Sequence, residues 1–183
     1  ANTRVTDAEG NLLNTKKPDL TDLDRPEKWI TYQVHVPQHS SFIHRSLPEL
    51  YSDFDEKFQY VFDLEYFMRL GCANLRPVHI DLDTAVFRIH DKSKSRMSRL
   101  PFLFEQEKLI DHYAPLIDQA IILKTKNTLN RMIAEHLVYE APDMLQQRNG
   151  YHIAFQYLSK ALARDRSVLK TRPFWGALKK IMF

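Results

Sequence analysis

The chain has 183 residues, enough for one domain or for one domain with a small appendage. Hydrophobic residues make up 44% of it, which supplies a core and excludes a disordered polymer. The 26 Lys and Arg against 23 Asp and Glu leave a net charge of +3, an excess compatible with a phosphate-bearing ligand without demanding one.

Residues 1–25 are polar and turn-rich, with short extended pieces expected at Arg4-Val5-Thr6 and Leu12-Leu13 around a turn at Asp7 to Asn11. Pro26 opens a short helix to Thr31, with Asp24 or Arg25 near its cap. Tyr32 to Val36 alternates and reads as strand or extended coil, and Ser40 to Arg45 as a second extended piece. A short helix follows from Ser46 to about Tyr51. The clearest helix of the first half spans about Asp63 to Ala73, where Phe62, Tyr66, Phe67 and Leu70 recur at helical spacing and Asn74 suits the left-handed turn that ends it. Val78 to Ile80 and Ala85 to His90 read as strands. From Pro101 helical periodicity takes over, with helices expected at about 102–113, 116–138, 144–163 and 173–182, punctuated by Pro115, Pro142 and Pro173.

Several chemistries are disfavoured at once. The single cysteine, Cys72, excludes an internal disulfide and a thiolate metal cage, and it points to a reducing, cytoplasmic setting. No run approaches the ~18 apolar residues of a membrane span, and no signal peptide is visible. The glycines at 10, 71, 150 and 176 are too scattered for a phosphate-cradling loop. No nucleophile-elbow motif occurs, which argues against a covalent hydrolase. Three Asp-Xaa-Asp pairs, beginning at Asp22, Asp53 and Asp81, read as turn or cap features.

Three constellations remain. Asp63 stands just before a helical run, with Glu65 in the first turn. Two readings stay open: a helix cap favoured by the macrodipole, or a carboxylate in a partly apolar cleft that takes a proton from an attacking hydroxyl. Arg88 and His90 would share one strand face, and the Lys92, Ser93, Lys94, Ser95 loop after them is cationic and hydroxyl-rich. That loop suits a diphosphate, or it is simply a solvated basic connection. Between Lys160 and Phe183 seven Lys and Arg face one acid, Asp165, and aromatic residues supply an apolar side. Such an end rests on an anionic membrane surface or packs as a terminal helix. Nucleic acid is not expected as a partner, because the basic residues are not interleaved with an aromatic platform.

The order of four segments resembles family-2 nucleotide-sugar glycosyltransferases. Gln38-His39-Ser40-Ser41-Phe42-Ile43-His44-Arg45-Ser46 is similar to the segment that precedes their catalytic helix. Phe54-Asp55-Glu56 resembles the lead-in, and Phe62-Asp63-Leu64-Glu65-Tyr66-Phe67-Met68-Arg69-Leu70 the catalytic helix itself. Phe87-Arg88-Ile89-His90-Asp91-Lys92-Ser93-Lys94-Ser95 resembles the closing loop. The resemblance covers about residues 35–96. It implies an α/β fold, the C-terminal portion of a GT-A (Rossmann-like) domain with short strands over 1–100, followed by a mainly helical extension over 101–183. It also implies an inverting enzyme that transfers a sugar from a nucleotide-diphosphate donor to a hydroxyl on a saccharide, lipid-linked or other acceptor. Asp63 is then the base, with Glu65 as fallback or acceptor-orienting group. His90 contacts a divalent cation (Mg or Mn) or the diphosphate. Arg88, Lys92, Ser93 and Ser95 bind the diphosphate, and Gln38, His39, Ser40 and Ser41 line the acceptor side.

The family's nucleotide-binding strands and metal-binding Asp-Xaa-Asp precede the position of Ala1. The chain is therefore expected to be a fragment, cloned or proteolytic, that binds nucleotide poorly and catalyses nothing unaided. The expected location is the cytoplasm, with peripheral contact at the inner membrane face. The alternative is a helical protein-interaction or membrane-docking module without catalysis.

Overall fold

The computed structural model describes residues 1–90 and 99–183. It is a mixed α/β structure, with a small sheet at one end and packed helices at the other. Strands β1 (Asn2–Thr6), β2 (Leu12–Lys16) and β3 (Asp83–Arg88) form the sheet in the order β2-β1-β3. β1 runs antiparallel to β2, pairing Arg4 with Thr15, and parallel to β3, pairing Val5 with Phe87. Its central place accounts for its burial: Asn2, Thr3, Val5 and Thr6 are covered, whereas the edge strand β2 is exposed throughout. The β1–β2 turn is closed by Asp7, whose carboxylate accepts the Asn11 backbone N–H at 2.7 Å and its side-chain amide at 2.8 Å.

Between β2 and β3 the chain crosses through α1 (Pro26–Ile30), a 3-10 turn (Gln38–Ser40), α2 (Leu47–Tyr51) and α3 (Phe62–Cys72). Pro26 starts α1 at a position where its missing N–H costs nothing. The helix ends in a Schellman arrangement: Tyr32 N–H donates to Trp29 O at 3.0 Å, and Gln33 N–H to Lys28 O at 2.8 Å. That ending forces Tyr32 to φ +55°, a conformation that favours glycine. α3 ends at Asn74, left-handed at φ +60° as its sequence suggests.

The second half holds α4 (Leu100–Tyr113), α5 (Gln119–Glu140), α6 (Gly150–Arg164) and α7 (Arg172–Met182), joined by 3-10 turns. Asp118 caps α5 by accepting Ala120 N–H at 2.8 Å. α6 presents the small residues Gly150, Ala154 and Ala161 with Leu158, so it approaches its neighbours closely. The Arg164 guanidinium binds Glu107 of α4 and Asn130 Oδ1 of α5, the latter at 2.9 Å, tying three helices together. A single buried cluster runs from Trp29, Val61 and Met68 through Leu109 and Ile133 to Phe174 and Ile181, so both halves share one core.

Some elements differ from expectation. Tyr32 to Val36 forms no strand; His35 makes one isolated bridge to Asp19. Ser40 to Arg45 is not a strand either, because Ser40 is held in the 3-10 turn. Val78 to Ile80 is β-prone but lies exposed without a strand assignment. The helix expected from 116 starts at Gln119, after a turn containing Pro115 and the Asp118 cap. The one expected from 144 starts at Gly150, because a 3-10 turn occupies Ala141–Gln146.

Candidate functional site

The site builds from the start of α3. Asp63 is the second residue of that helix, not its cap; Val61 takes the cap position without a side-chain bond. The cap reading of Asp63 is thereby corrected. Among the described residues its Oδ1 accepts only its neighbour's backbone N–H, from Leu64 at 2.8 Å, and the residue is half-buried. The helix start is secured from elsewhere. Glu105 of α4, itself buried, accepts the backbone N–H groups of Gln59 (2.9 Å), Tyr60 (2.6 Å) and Val61 (3.1 Å). A distant carboxylate thus satisfies the donors ahead of α3 and leaves Asp63 uncommitted.

Glu65 has the opposite fate. It is buried and engaged by Arg69 one turn on, with contacts of 2.9 and 3.0 Å to its two oxygens. Arg69 also donates to the carbonyls of Tyr51 and Asp53, and it lies over the Tyr66 ring. The Tyr113 hydroxyl donates to Glu65 at 3.4 Å. Glu65 therefore serves as an internal anchor between α2, α3 and α4.

The charge of Asp63 is felt by Tyr32 and His35, both in the loop after α1, and Arg99, at the start of α4, acts on the same Tyr32. The Tyr32 phenol is pushed above its ordinary value, first by surrounding protein, with Arg99 opposing and Asp63 assisting. With 59% of the residue exposed, solvent screens that effect to a small energy. His35 is pushed below its ordinary value, first by burial and then by Lys16, while Asp63 acts in the opposite sense. An imidazole, an exposed phenol ring and a guanidinium are thus electrostatically linked with the Asp63 carboxylate.

The Gln38–Ser41 segment is held against the sheet. Ser40 is fully covered: its hydroxyl accepts from Thr3 Oγ1 at 2.8 Å and donates to Ala1 O at 2.8 Å. It clamps the turn to β1. Ser41 donates to Pro37 O at 2.8 Å. The exposed His39 ring stacks on Phe87 of β3, with centroids 4.5 Å apart. That contact brings the expected acceptor segment beside Arg88, the exposed last residue of β3. His90 follows, also exposed. Lys92, Ser93 and Ser95 lie outside the described residues. Ser41 further lines an apolar pocket of about 410 Å³ with Trp29, Phe42, Phe67, Leu70 and Ile80. Phe67 lies one helical turn from Asp63, so the pocket opens along the same side of α3.

Among the described residues no group of three or more His, Cys, Asp or Glu is placed to hold a metal ion. The described surroundings of His90 therefore do not make a divalent-cation site on their own, and no chemical step is routed through one. Cys72 is half-buried, and burial pushes its thiol up, away from nucleophilic use.

Comparison with family models, with curated proteins and with solved structures finds no match to this chain. The functional reading therefore rests on the site. Tyr32, His35, Arg99 and Glu105 were not legible as site residues, because they come from the loop after α1 and the start of α4, both remote in sequence from Asp63. Tyr32 alone carried a retrievable signal, as a bulky residue just past a short helix where glycine is usual.

Proposed function

We propose that this chain is the acceptor-side portion of an inverting, GT-A-type nucleotide-sugar glycosyltransferase of the family-2 kind. The observation that carries the reading is an uncommitted, half-open Asp63 whose charge acts on an exposed Tyr32 held in a left-handed conformation. Backbone strain of this kind, about 1–2 kcal/mol, persists where the surroundings enforce it and clusters at ligand sites. A flat aromatic face next to a carboxylate suits a sugar ring, whose C–H face packs on the ring while its hydroxyl meets the acid.

In this reading an Asp63 oxygen accepts the proton of the acceptor hydroxyl. The acceptor oxygen bonds to the anomeric carbon from the face opposite the leaving group. The carbon–oxygen bond to the nucleoside diphosphate breaks, and its electron pair leaves with the diphosphate. Arg88 and Arg99 supply positive charge on either side, in sequence, of the basic stretch that contains Lys92, Ser93 and Ser95. The 410 Å³ pocket takes the apolar part of the acceptor.

The test offers the full-length protein a panel of nucleotide-diphosphate sugars with saccharide and lipid-linked acceptors and follows release of nucleoside diphosphate. One donor should give acceptor-dependent release. Silence across a panel covering the common donors and both acceptor types overturns the reading.

A further inference from the structure

We propose that α7 seats this protein on an anionic lipid surface through its outward face. α7 has two distinct faces. Phe174, Ala177 and Ile181 point inward and belong to the buried core, so packing against the domain accounts for one side only. On the other side Arg172, Trp175, Lys179 and Met182 fall within roughly a quarter turn of helix. Trp175 is 56% exposed and Met182 60% exposed, although burying either would release apolar surface from water.

Trp175 is fixed in that exposed position. Its indole N–H donates to Leu169 O at 2.8 Å, and its ring meets Phe174 edge-on at 5.5 Å. An indole whose only donor is already satisfied enters an apolar interface without stranding a polar group. Leu169, itself exposed, extends the apolar strip beyond the helix.

Charge selects the occupant. Residues 166–183 contain Arg166, Lys170, Arg172, Lys179 and Lys180 and no acidic residue. Cationic side chains flanking an exposed tryptophan match anionic headgroups over an acyl boundary, with the long Lys and Arg stems lying along the apolar strip. Among the described residues no helix is long and apolar enough to cross a membrane, so the contact lies in the interface plane. This inference stands on the tail alone and is independent of the role given to Asp63.

The test is flotation of the full-length protein with vesicles of phosphatidylcholine alone or with about one-third phosphatidylglycerol, alongside tryptophan emission. Trp29, the other tryptophan, is buried, so an emission shift on binding reports Trp175. The protein should float with the anionic vesicles only, with a blue shift, and should be released by 1 M salt. Lys179→Glu with Lys180→Glu should weaken binding at least about tenfold, and Trp175→Ser should abolish the blue shift. Both variants alter exposed side chains, and circular dichroism checks that they fold. Equal flotation with neutral vesicles, no flotation with either, or full binding by the charge-reversed variant overturns the proposal; a protein-only partner would give the second outcome.

Discussion

Tyr32 concentrates the tension between folding and function in one residue. Its φ of +55° belongs to glycine, yet the position carries a large exposed ring. Tyr32→Gly should therefore raise stability by about 1 kcal/mol in denaturant melts while lowering sugar transfer. Tyr32→Ala separates the two effects, because it loses the ring and keeps the strain. Stability unchanged in Tyr32→Gly would remove the strain argument. Tyr113 gives a second prediction. It is buried, and burial, followed by the nearby Glu65 charge, raises its pKa well above the ordinary value of 10.0. Above pH 10 the unfolded chain loses the phenolic proton while the folded chain keeps it. Stability from this group is thus intact below pH 10 and falls above it, by up to ~1.4 kcal/mol per pH unit. Alkaline melts should show that decline, and Tyr113→Phe should make it shallower; Tyr66, Tyr32 and Cys72, also raised, contribute to the remaining slope. An unchanged slope in Tyr113→Phe would refute the assignment.

At the scale of elements, α3 shows what sequence can and cannot reveal. Its extent was legible because Phe62, Tyr66, Phe67 and Leu70 keep a helical period and Asn74 ends it. What secures its start was not, because the groups that do so belong to Glu105, 44 residues from Val61. The seat of α3 on the loop before α1 depends on Gly71. A Cβ there would lie 2.4 Å from Leu23 O and 3.2 Å from the Trp29 ring. Gly71→Ala should cost about 1–3 kcal/mol in thermal or denaturant unfolding, despite alanine's better helix propensity. A stabilised Gly71→Ala protein would show that the two segments separate freely. The same contrast holds elsewhere. Pro26 announced a helix start that the structure contains, whereas Pro115 pointed to a start at 116 and the Asp118 cap sets it at Gln119. Val78 to Ile80 has strand-forming residues, but pairing is a property of neighbours, and β1 is already flanked by β2 and β3.

For the whole molecule, the mixed α/β character and the change to helix after residue 100 follow from local pattern, and the structure has both. The assembly of the candidate site does not, because it joins α3, the loop after α1, the turn at Gln38–Ser40 and the end of β3. Asp63 and Glu65 illustrate the limit. Two residues apart, they look equivalent in sequence, yet folding buries one against Arg69 and leaves the other available. The central claim is that Asp63 activates the acceptor. Its most direct test compares Asp63→Asn with wild type in the full-length protein, measuring acceptor-dependent release of nucleoside diphosphate together with donor affinity. The account predicts a rate loss of about 10²- to 10⁴-fold with donor binding nearly unchanged. Transfer by Asp63→Asn at the wild-type rate would contradict it.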